Sequence, residues 1–166
     1  MEKPLVSVIM ATFNEPVDYI KAAVDSILNQ TFTNFEFIII DDSTNQTTID
    51  ILNSYTKDSR IRIIRGKSRL GFVKALNEGL KVAKGQFIVR MDGDDVSLND
   101  RLEKQLEFMN SHKNVDVLGG NMLIINESGE VVSQRKYPTH GLFLNINAIF
   151  RSPVAHPTVM FRRTIL

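Results

Sequence analysis

Three polar clusters hold the residues most able to do chemistry in this sequence: Thr12 to Glu15, Asp41-Asp42 and Asp92-Gly93-Asp94-Asp95. The last two directly follow strand-like runs, Phe35 to Ile40 and Phe87 to Met91. Carboxylates crowded together repel, and each raises its neighbours' pKa unless a cation compensates. A divalent metal is the economical explanation. The sequence has no cysteine and three histidines, His112, His140 and His156, with no ligand-like spacing among them. Oxygen-only ligands of this kind suit Mg2+ or Mn2+ better than zinc, and such ions keep waters and are shared with substrate phosphates. A bland alternative stands beside each cluster. Asp41 to Thr44 could be turn and helix-cap chemistry, and Asp92 to Asp95 a surface turn with Gly93 at positive φ.

The elements that must position these clusters follow from hydrophobic periodicity. Leu5 to Thr12 reads as a first strand, and Val17, Ile20, Val24, Ile27 and Leu28 recur at helical spacing after it. Phe35 to Ile40 is continuously apolar, as a strand covered on both faces should be. A short helix through Ile49, Leu52 and Tyr55 leads to a short strand, Ile61 to Ile64. Gly71 opens a third helix that Gly85 ends, and Phe87 to Met91 is a fourth strand. Ser97 with Asp100 has the form of a capping box for a helix carrying Leu102, Leu106 and Met109. Val115 to Ile125, Val131 to Ser133 and Val154 to Phe161 are the remaining strand candidates, the first two forming a hairpin around Asn126 to Glu130. The sequence reaches Leu166 in what reads as a strand. Strand and helix alternating means parallel strands with right-handed crossovers, and the later hairpin makes the sheet mixed. Ligands of such sheets bind at the carboxyl ends of the strands. The three clusters should therefore converge on one edge of a single α/β domain.

Composition sets bounds. The 166 residues are 43% hydrophobic and 23% charged with a net charge of +1, so no global field points to nucleic acid. No apolar run approaches the roughly 18 residues that a membrane span needs. The N-terminal apolar run reads as a buried strand, not a leader. A cytoplasmic protein is expected.

At these residues the sequence closely resembles the family 2 glycosyltransferases, inverting enzymes with the GT-A fold, a Rossmann-like, mostly parallel mixed sheet flanked by helices. SVIMATFNE looks like the family's opening strand and nucleotide-contacting loop. IIIDDSTNQTT resembles the strand whose aspartates contact base and ribose. RLGFVKALNEGLKVAKGQFIVRMDGDD resembles the helix leading into the metal-binding D-x-D strand. The resemblance implies that Thr12, Asn14 and Glu15 line the nucleotide pocket and that Asp41 and Asp42 hydrogen-bond uracil and ribose. It implies that Asp94 coordinates the metal, Mn2+ or Mg2+, with Asp92 as its partner and Asp95 as a third acidic contact. The donor is then a nucleotide sugar, by default a UDP-sugar, and the acceptor a saccharide or lipid-linked saccharide in polysaccharide synthesis.

Some positions depart from the pattern. Ala11 replaces a frequent proline and Phe13 a frequent tyrosine, while Arg69 and Leu76 stand where asparagine and arginine are common. The family's general-base carboxylate, in a Glu-Asp pair, lies beyond the last matched block, and no such pair follows Phe161. The base is therefore expected beyond Leu166. Residues 1–166 are thus expected to be one donor-binding domain cut before the acceptor and base region, with no catalytic base and poor transfer on its own.

The run Lys57 to Lys74 is strongly basic. It reads as a solvated face around an edge strand, except that Lys74, near the start of a helix at the ligand edge, could reach the donor. A pull toward the diphosphate or an anionic membrane face is the alternative. The stripe Leu142, Phe143, Ile146 and Ile149 reads as core packing, with membrane docking as its alternative. His156 is a weak acceptor-site candidate and His112 suits a helix C-terminus. Two rivals remain: a nucleotidyltransferase, against which the acidic, glycine-free ATFNEPVD loop argues, and a magnesium-binding receiver-type module, which lacks its acidic pair after strand one and its lysine after the last core strand.

Overall fold

The computed structural model describes residues 3–66, 68–139 and 152–166. Lys67, His140 and the stripe Leu142, Phe143, Ile146 and Ile149 lie outside these described residues. Four strands come first: β1 (Val6–Thr12), β2 (Phe35–Asp41), β3 (Ile61–Ile64) and β4 (Phe87–Asp92). Helices α1 (Val17–Leu28), α2 (Gln46–Ser54) and α3 (Phe72–Val82) connect them, and α4 (Arg101–Ser111) follows. All four strands are parallel, with β1 between β2 and β4 and β3 outside β2. Then come β5 (Val117–Leu118), β6 (Met122–Ile125), β7 (Val131–Arg135) and β8 (Met160–Arg162). The main sheet runs β3-β2-β1-β4-β8-β5, with β8 antiparallel to both neighbours. Strands β6 and β7 form a separate hairpin. This is the mostly parallel mixed sheet, flanked by helices, that was expected, but β8 is what makes it mixed; the hairpin, expected to do so, stands apart as its own two-stranded sheet.

The continuous apolar runs are explained by cover on both faces. Val8, Met10, Phe37, Ile39, Val89 and Met91 belong to one cluster with Ile20 and Val24 of α1, Leu52 of α2 and Leu102 and Met109 of α4. Ile9, Ile38, Ile40 and Ile88 belong to the other, with Ala75 of α3. Burying a side chain such as Phe37 or Ile39 fully is worth about 1.5–3 kcal/mol. Helix α3 sits close to the sheet because of Gly79, where a Cβ would lie 2.5 Å from Ile9 Cγ2. That approach explains a mid-helix glycine that would otherwise cost about 1 kcal/mol.

Several boundaries differ from expectation. The stretch Val115 to Ile125 divides into β5 and β6 across Gly119-Gly120, where a Cβ on Gly119 would meet the Val154 side chain at 2.8 Å. Within Val154 to Phe161 a 3-10 turn, His156–Thr158, precedes β8. Contrary to expectation, Leu166 does not lie in a strand. Strand β8 stops at Arg162, and a 3-10 turn, Arg163–Ile165, leads to an exposed Leu166 whose N–H donates to Arg163 O at 3.2 Å, a turn bond and not a ladder bond. Gly85 does not cap α3, which ends at Val82 with Ala83 as its C-cap. Its lack of a side chain serves contact instead, since a Cβ there would lie 2.5 Å from Ser7 N. The Ser97 capping box does not form either. Helix α4 starts at Arg101, and Asp100 makes no side-chain cap bond, pairing instead with Lys104 Nζ at 2.6 Å. The cap comes from far away in sequence: buried Gln30 accepts from Leu102 N at 2.9 Å and donates to Leu98 O at 2.7 Å. Among the described residues, no helix is long and apolar enough to cross a membrane.

Candidate functional site

Parallel register sets the carboxyl ends of β1, β2 and β4 side by side, with Thr12 opposite Asp41 and Ala11 opposite Asp92. A pocket of about 200 Å³ opens there. Thr12, Glu15, Asp42, Asp92 and Asp94 all line it, together with Phe13, Arg69 and Phe72. Side chains from three separate loops thus share one cavity, as the strand direction requires.

Alternation along β2 then separates two neighbours. Successive strand residues point to opposite faces, and Asp41, the last residue of β2, and Asp42, the residue after it, go to different sides here. Asp42 lines the pocket, and its Oδ2 accepts from Leu70 N at 2.9 Å and Gly71 N at 2.7 Å. Those two bonds fasten the β3–α3 connection to the end of β2. Asp41 turns to the other face, where its side chain is fully buried, bound to Arg65 Nε at 2.7 Å and Ser43 N at 2.9 Å. Asp41, expected to contact the nucleotide, is not among the residues lining this pocket, and both its oxygens are engaged. Arg65, read as part of a solvated face, is its counter-charge.

Asn14 also has a different task. It adopts a left-handed conformation, φ 61, which asparagine tolerates better than most residues. Its Oδ1 accepts from Thr44 N at 2.8 Å and Asn45 N at 3.0 Å, and its Nδ2 donates to Thr44 Oγ1 at 3.0 Å. Asn14 therefore staples the loop after β1 to the loop after β2 and does not line the pocket. Glu15 does line it, and its Oε2 accepts from the Thr12 hydroxyl and from Phe13 N. Gly93 serves that carboxylate by being small. Its φ is not positive, and a Cβ there would lie 3.2 Å from Glu15 Cδ.

At the end of β4 the acidic cluster has partners that the sequence reading overlooked. Arg90 Nη2 donates to Asp92 Oδ1 at 2.9 Å and Oδ2 at 3.1 Å, and the guanidinium lies 4.9 Å from the Phe72 ring centre. Burial pushes the Asp92 carboxyl above the usual range, Arg90 opposes the rise and Asp94 adds to it. Burial likewise raises Asp95, with repulsion from Asp92 and Asp94 behind it. Arg101 stands beneath the cluster and donates to Arg90 O at 3.0 Å. Burial pulls it down to about 10 against the attraction of Asp95 and Asp92, so it remains charged at neutral pH. His156 is near enough to Asp92 to lower its pKa slightly. Asp94 is exposed to the pocket and makes no hydrogen bond or ion pair among the described residues.

These donors fit a hard divalent cation in a restricted sense. Among the described residues, no three of His, Cys, Asp and Glu are grouped to hold a metal by themselves. The expected set of Asp92, Asp94 and Asp95 is therefore not assembled as a cage. Asp95 is outside the pocket lining and Asp92 is engaged by Arg90. What remains is a free carboxylate, Asp94, beside a second, Asp92, whose charge Arg90 offsets in part. Mg2+ and Mn2+ use one or two carboxylates plus substrate phosphates and water, and oxygen ligands of this number suit them. Lys74 is not in this pocket. It lines an open groove of about 490 Å³ along α3 with Leu70, Asn77, Glu78 and Lys81. That groove is wider than the acidic pocket, but it has no convergent carboxylates and is the outer surface of a helix.

The family described as Glycosyl transferase family 2 matches residues 7–166. The O-antigen biosynthesis glycosyltransferase WbnJ of Escherichia coli is 40% identical over 167 residues, covering 98% of this chain and 63% of WbnJ. An uncharacterised glycosyltransferase of Methanocaldococcus jannaschii is 38% identical over 170 residues, covering 100% of this chain and 58% of that protein. Among solved structures, S. aureus TarS 1-349 in complex with UDP-GlcNAc matches with a TM-score of 0.75 at 27% identity, covering 97% of this chain and 46% of that one. The chain spans less than two thirds of the length of these relatives. Its sheet and helices have the GT-A arrangement that the sequence resemblance implied.

Proposed function

The chain belongs to glycosyl transferase family 2, and from that premise we propose that it forms the donor-binding part of an inverting, metal-dependent glycosyltransferase. Its donor is a nucleotide sugar with uridine as the base, and the acceptor is a saccharide or lipid-linked saccharide in polysaccharide synthesis. The names of WbnJ and of the UDP-GlcNAc complex of TarS support this reading. Family membership removes the nucleotidyltransferase and receiver alternatives. The observation that carries the proposal is the meeting of Asp42 and Asp94, from different strands, in one pocket. A lipid-linked acceptor would place the work in the cytoplasm at the inner membrane face.

In this reading Asp94, with Asp92 beside it, would hold Mn2+ or Mg2+ together with the donor diphosphate, and the bound ion would supply charge neutralisation for the departing diphosphate. The chain's own residues do the positioning. Asp42 and Glu15 present acceptors to donor hydroxyl or N–H groups. Arg90 holds Asp92 in one orientation and itself lies against the Phe72 ring. Inversion follows from a single in-line displacement, for which an acceptor hydroxyl must lose its proton to a base. None of the carboxylates lining the pocket is assigned that task.

Calorimetric titration of UDP with and without Mn2+ tests the assignment. Wild type should bind UDP more tightly with Mn2+ present, and Asp94→Ala should lose that dependence while keeping its melting temperature. Unchanged metal-dependent affinity in Asp94→Ala would overturn it.

A further inference from the structure

We propose that the β6–β7 hairpin is a self-association surface, packing face to face against the same hairpin of a second copy of this chain. The inference stands apart from the donor site and does not depend on it. Pairing within the hairpin sets Leu123 opposite Gln134 and Ile125 opposite Val131, while Ile124 opposes Ser133 and Met122 opposes Arg135. Alternation along β6 therefore gathers Leu123, Ile125 and Val131 on one face. These three are 50%, 47% and 59% exposed, and every residue of β7 is exposed. A two-stranded hairpin alone in water is marginally stable at best, and a cluster of large apolar side chains left in solvent marks a contact surface.

Charge decides what that face meets. The turn at the tip carries Glu127 and Glu130, and the open end carries Arg135 and Lys136. Among the described residues, none of these four side chains is in an ion pair. The Glu130 carboxylate accepts from Asn126 Nδ2 at 2.9 Å, a neutral donor in the same turn. The hairpin is thus negative at one end, positive at the other and apolar between them. Such a surface is complementary to itself. A two-fold axis across the strands lays one apolar face on the other in antiparallel sense, and each acidic tip then lies over the basic end of the other copy. A two-fold axis along the strands would bring like charges together instead.

Two other arrangements suit the hairpin less well. Pairing through the outer edge of β7 is opposed by a bulge: Ile124 and Ile125 are adjacent, but their partners Ser133 and Val131 are not, so Val132 is the extra residue. A bulge and terminal basic side chains are both devices that keep an edge from pairing. An anionic lipid surface would attract Arg135 and Lys136 but repel Glu127 and Glu130, leaving half of the charge pattern unmatched. A second copy matches both halves.

The test is sedimentation velocity over a concentration series, with thermal melts to verify folding. Wild type should dimerise with a dissociation constant on the order of 10–100 µM, as small interfaces do. Tip reversal, Glu127→Lys with Glu130→Lys, and end reversal, Arg135→Glu with Lys136→Glu, change exposed positions only and keep every apolar contact. Each reversal makes both ends alike in sign and should weaken dimerisation roughly tenfold, because a two-fold dimer repeats every contact. Mixed in equal amounts, the two reversed proteins should associate with each other about as tightly as wild type does with itself. Val131→Gln should weaken dimerisation without any change of charge. The proposal fails if wild type stays monomeric up to about 1 mM. It fails equally if both reversals leave the dimer intact, or if the reversed proteins ignore each other when mixed. Monomeric wild type that binds phosphatidylcholine–phosphatidylglycerol vesicles, and loses that binding in Val131→Gln, would give the face to a membrane and overturn the proposal.

Discussion

Replacing Arg90 with methionine separates charge from packing at the acidic end of the pocket. Methionine keeps an unbranched apolar stem and a favourable contact for Phe72, but it removes the guanidinium bonded to both oxygens of Asp92. One nitrogen makes both contacts, so they count as a single charge-assisted bond, worth about 1.5–3 kcal/mol. Breaking a fully buried pair costs about 3–5 kcal/mol, but these side chains retain 16% and 25% exposure, and hydration reduces the loss. Arg90 Nε is buried without a partner, and deleting it returns some stability. The balance is a loss of about 2 kcal/mol, or about 4–8 °C in melting temperature for a domain of this size. The loss should also depend on pH. Asp92 already titrates above the usual range because of burial, and Arg90 is the first influence opposing that rise. Without it, the folded-state pKa of Asp92 moves further above the unfolded value. The anion then destabilises the fold at high pH, and the penalty fades as pH falls through the folded pKa toward the unfolded one. Urea denaturation of both proteins at about pH 8 and about pH 5 reads the difference. An equal loss at both pH values, or none, would refute this account of Asp92.

Two other substitutions test how the pocket is built. Gly85→Ala should cost about 3 kcal/mol, because the new methyl meets Ser7 N at 2.5 Å and Val6 C at 2.7 Å, backbone atoms of β1 that cannot step aside. A melting temperature within 2 °C or so of wild type would show that β1 yields more easily than close packing allows. Asn14→Ala should cost more than Asn14→Gly by roughly 1–2 kcal/mol, since both lose the staple to Thr44 and Asn45 but glycine accepts φ 61 freely. Equal losses would show that the backbone relaxes once the staple is cut.

The sequence makes the parallel core legible because burial on both faces writes itself as unbroken apolar runs, at Phe35 to Ile40 above all. The convergence of Asp42 with Asp94 follows from strand direction alone. The different placements of Asp41 and Asp42 are less legible, because the chain leaves β2 between them and the buried partner of Asp41, Arg65, lies 24 residues further on. Arg90 and Arg101 were less accessible. A basic residue inside or beside an apolar run looks like a solvent-facing interruption, and the partners that justify burying it become neighbours only after folding. The same holds for Gln30, whose capping of α4 joins residues 72 positions apart. Local patterns suggested Ser97 for that cap, and a distant amide took the place.

Strand β8 is inserted, not appended. It fills the far edge of β4 and, among the described residues, is the strand through which β5 joins the sheet. While the chain is being synthesised, β4 must therefore wait with one side of its backbone unpaired until residues 160–162 emerge, and an exposed edge of that kind is a template for mispairing with other chains. The same insertion makes β5 and β8 a single unit in reverse. Amides that lie between β4, β8 and β5 should exchange with solvent together, through an opening that leaves β1 and β2 closed.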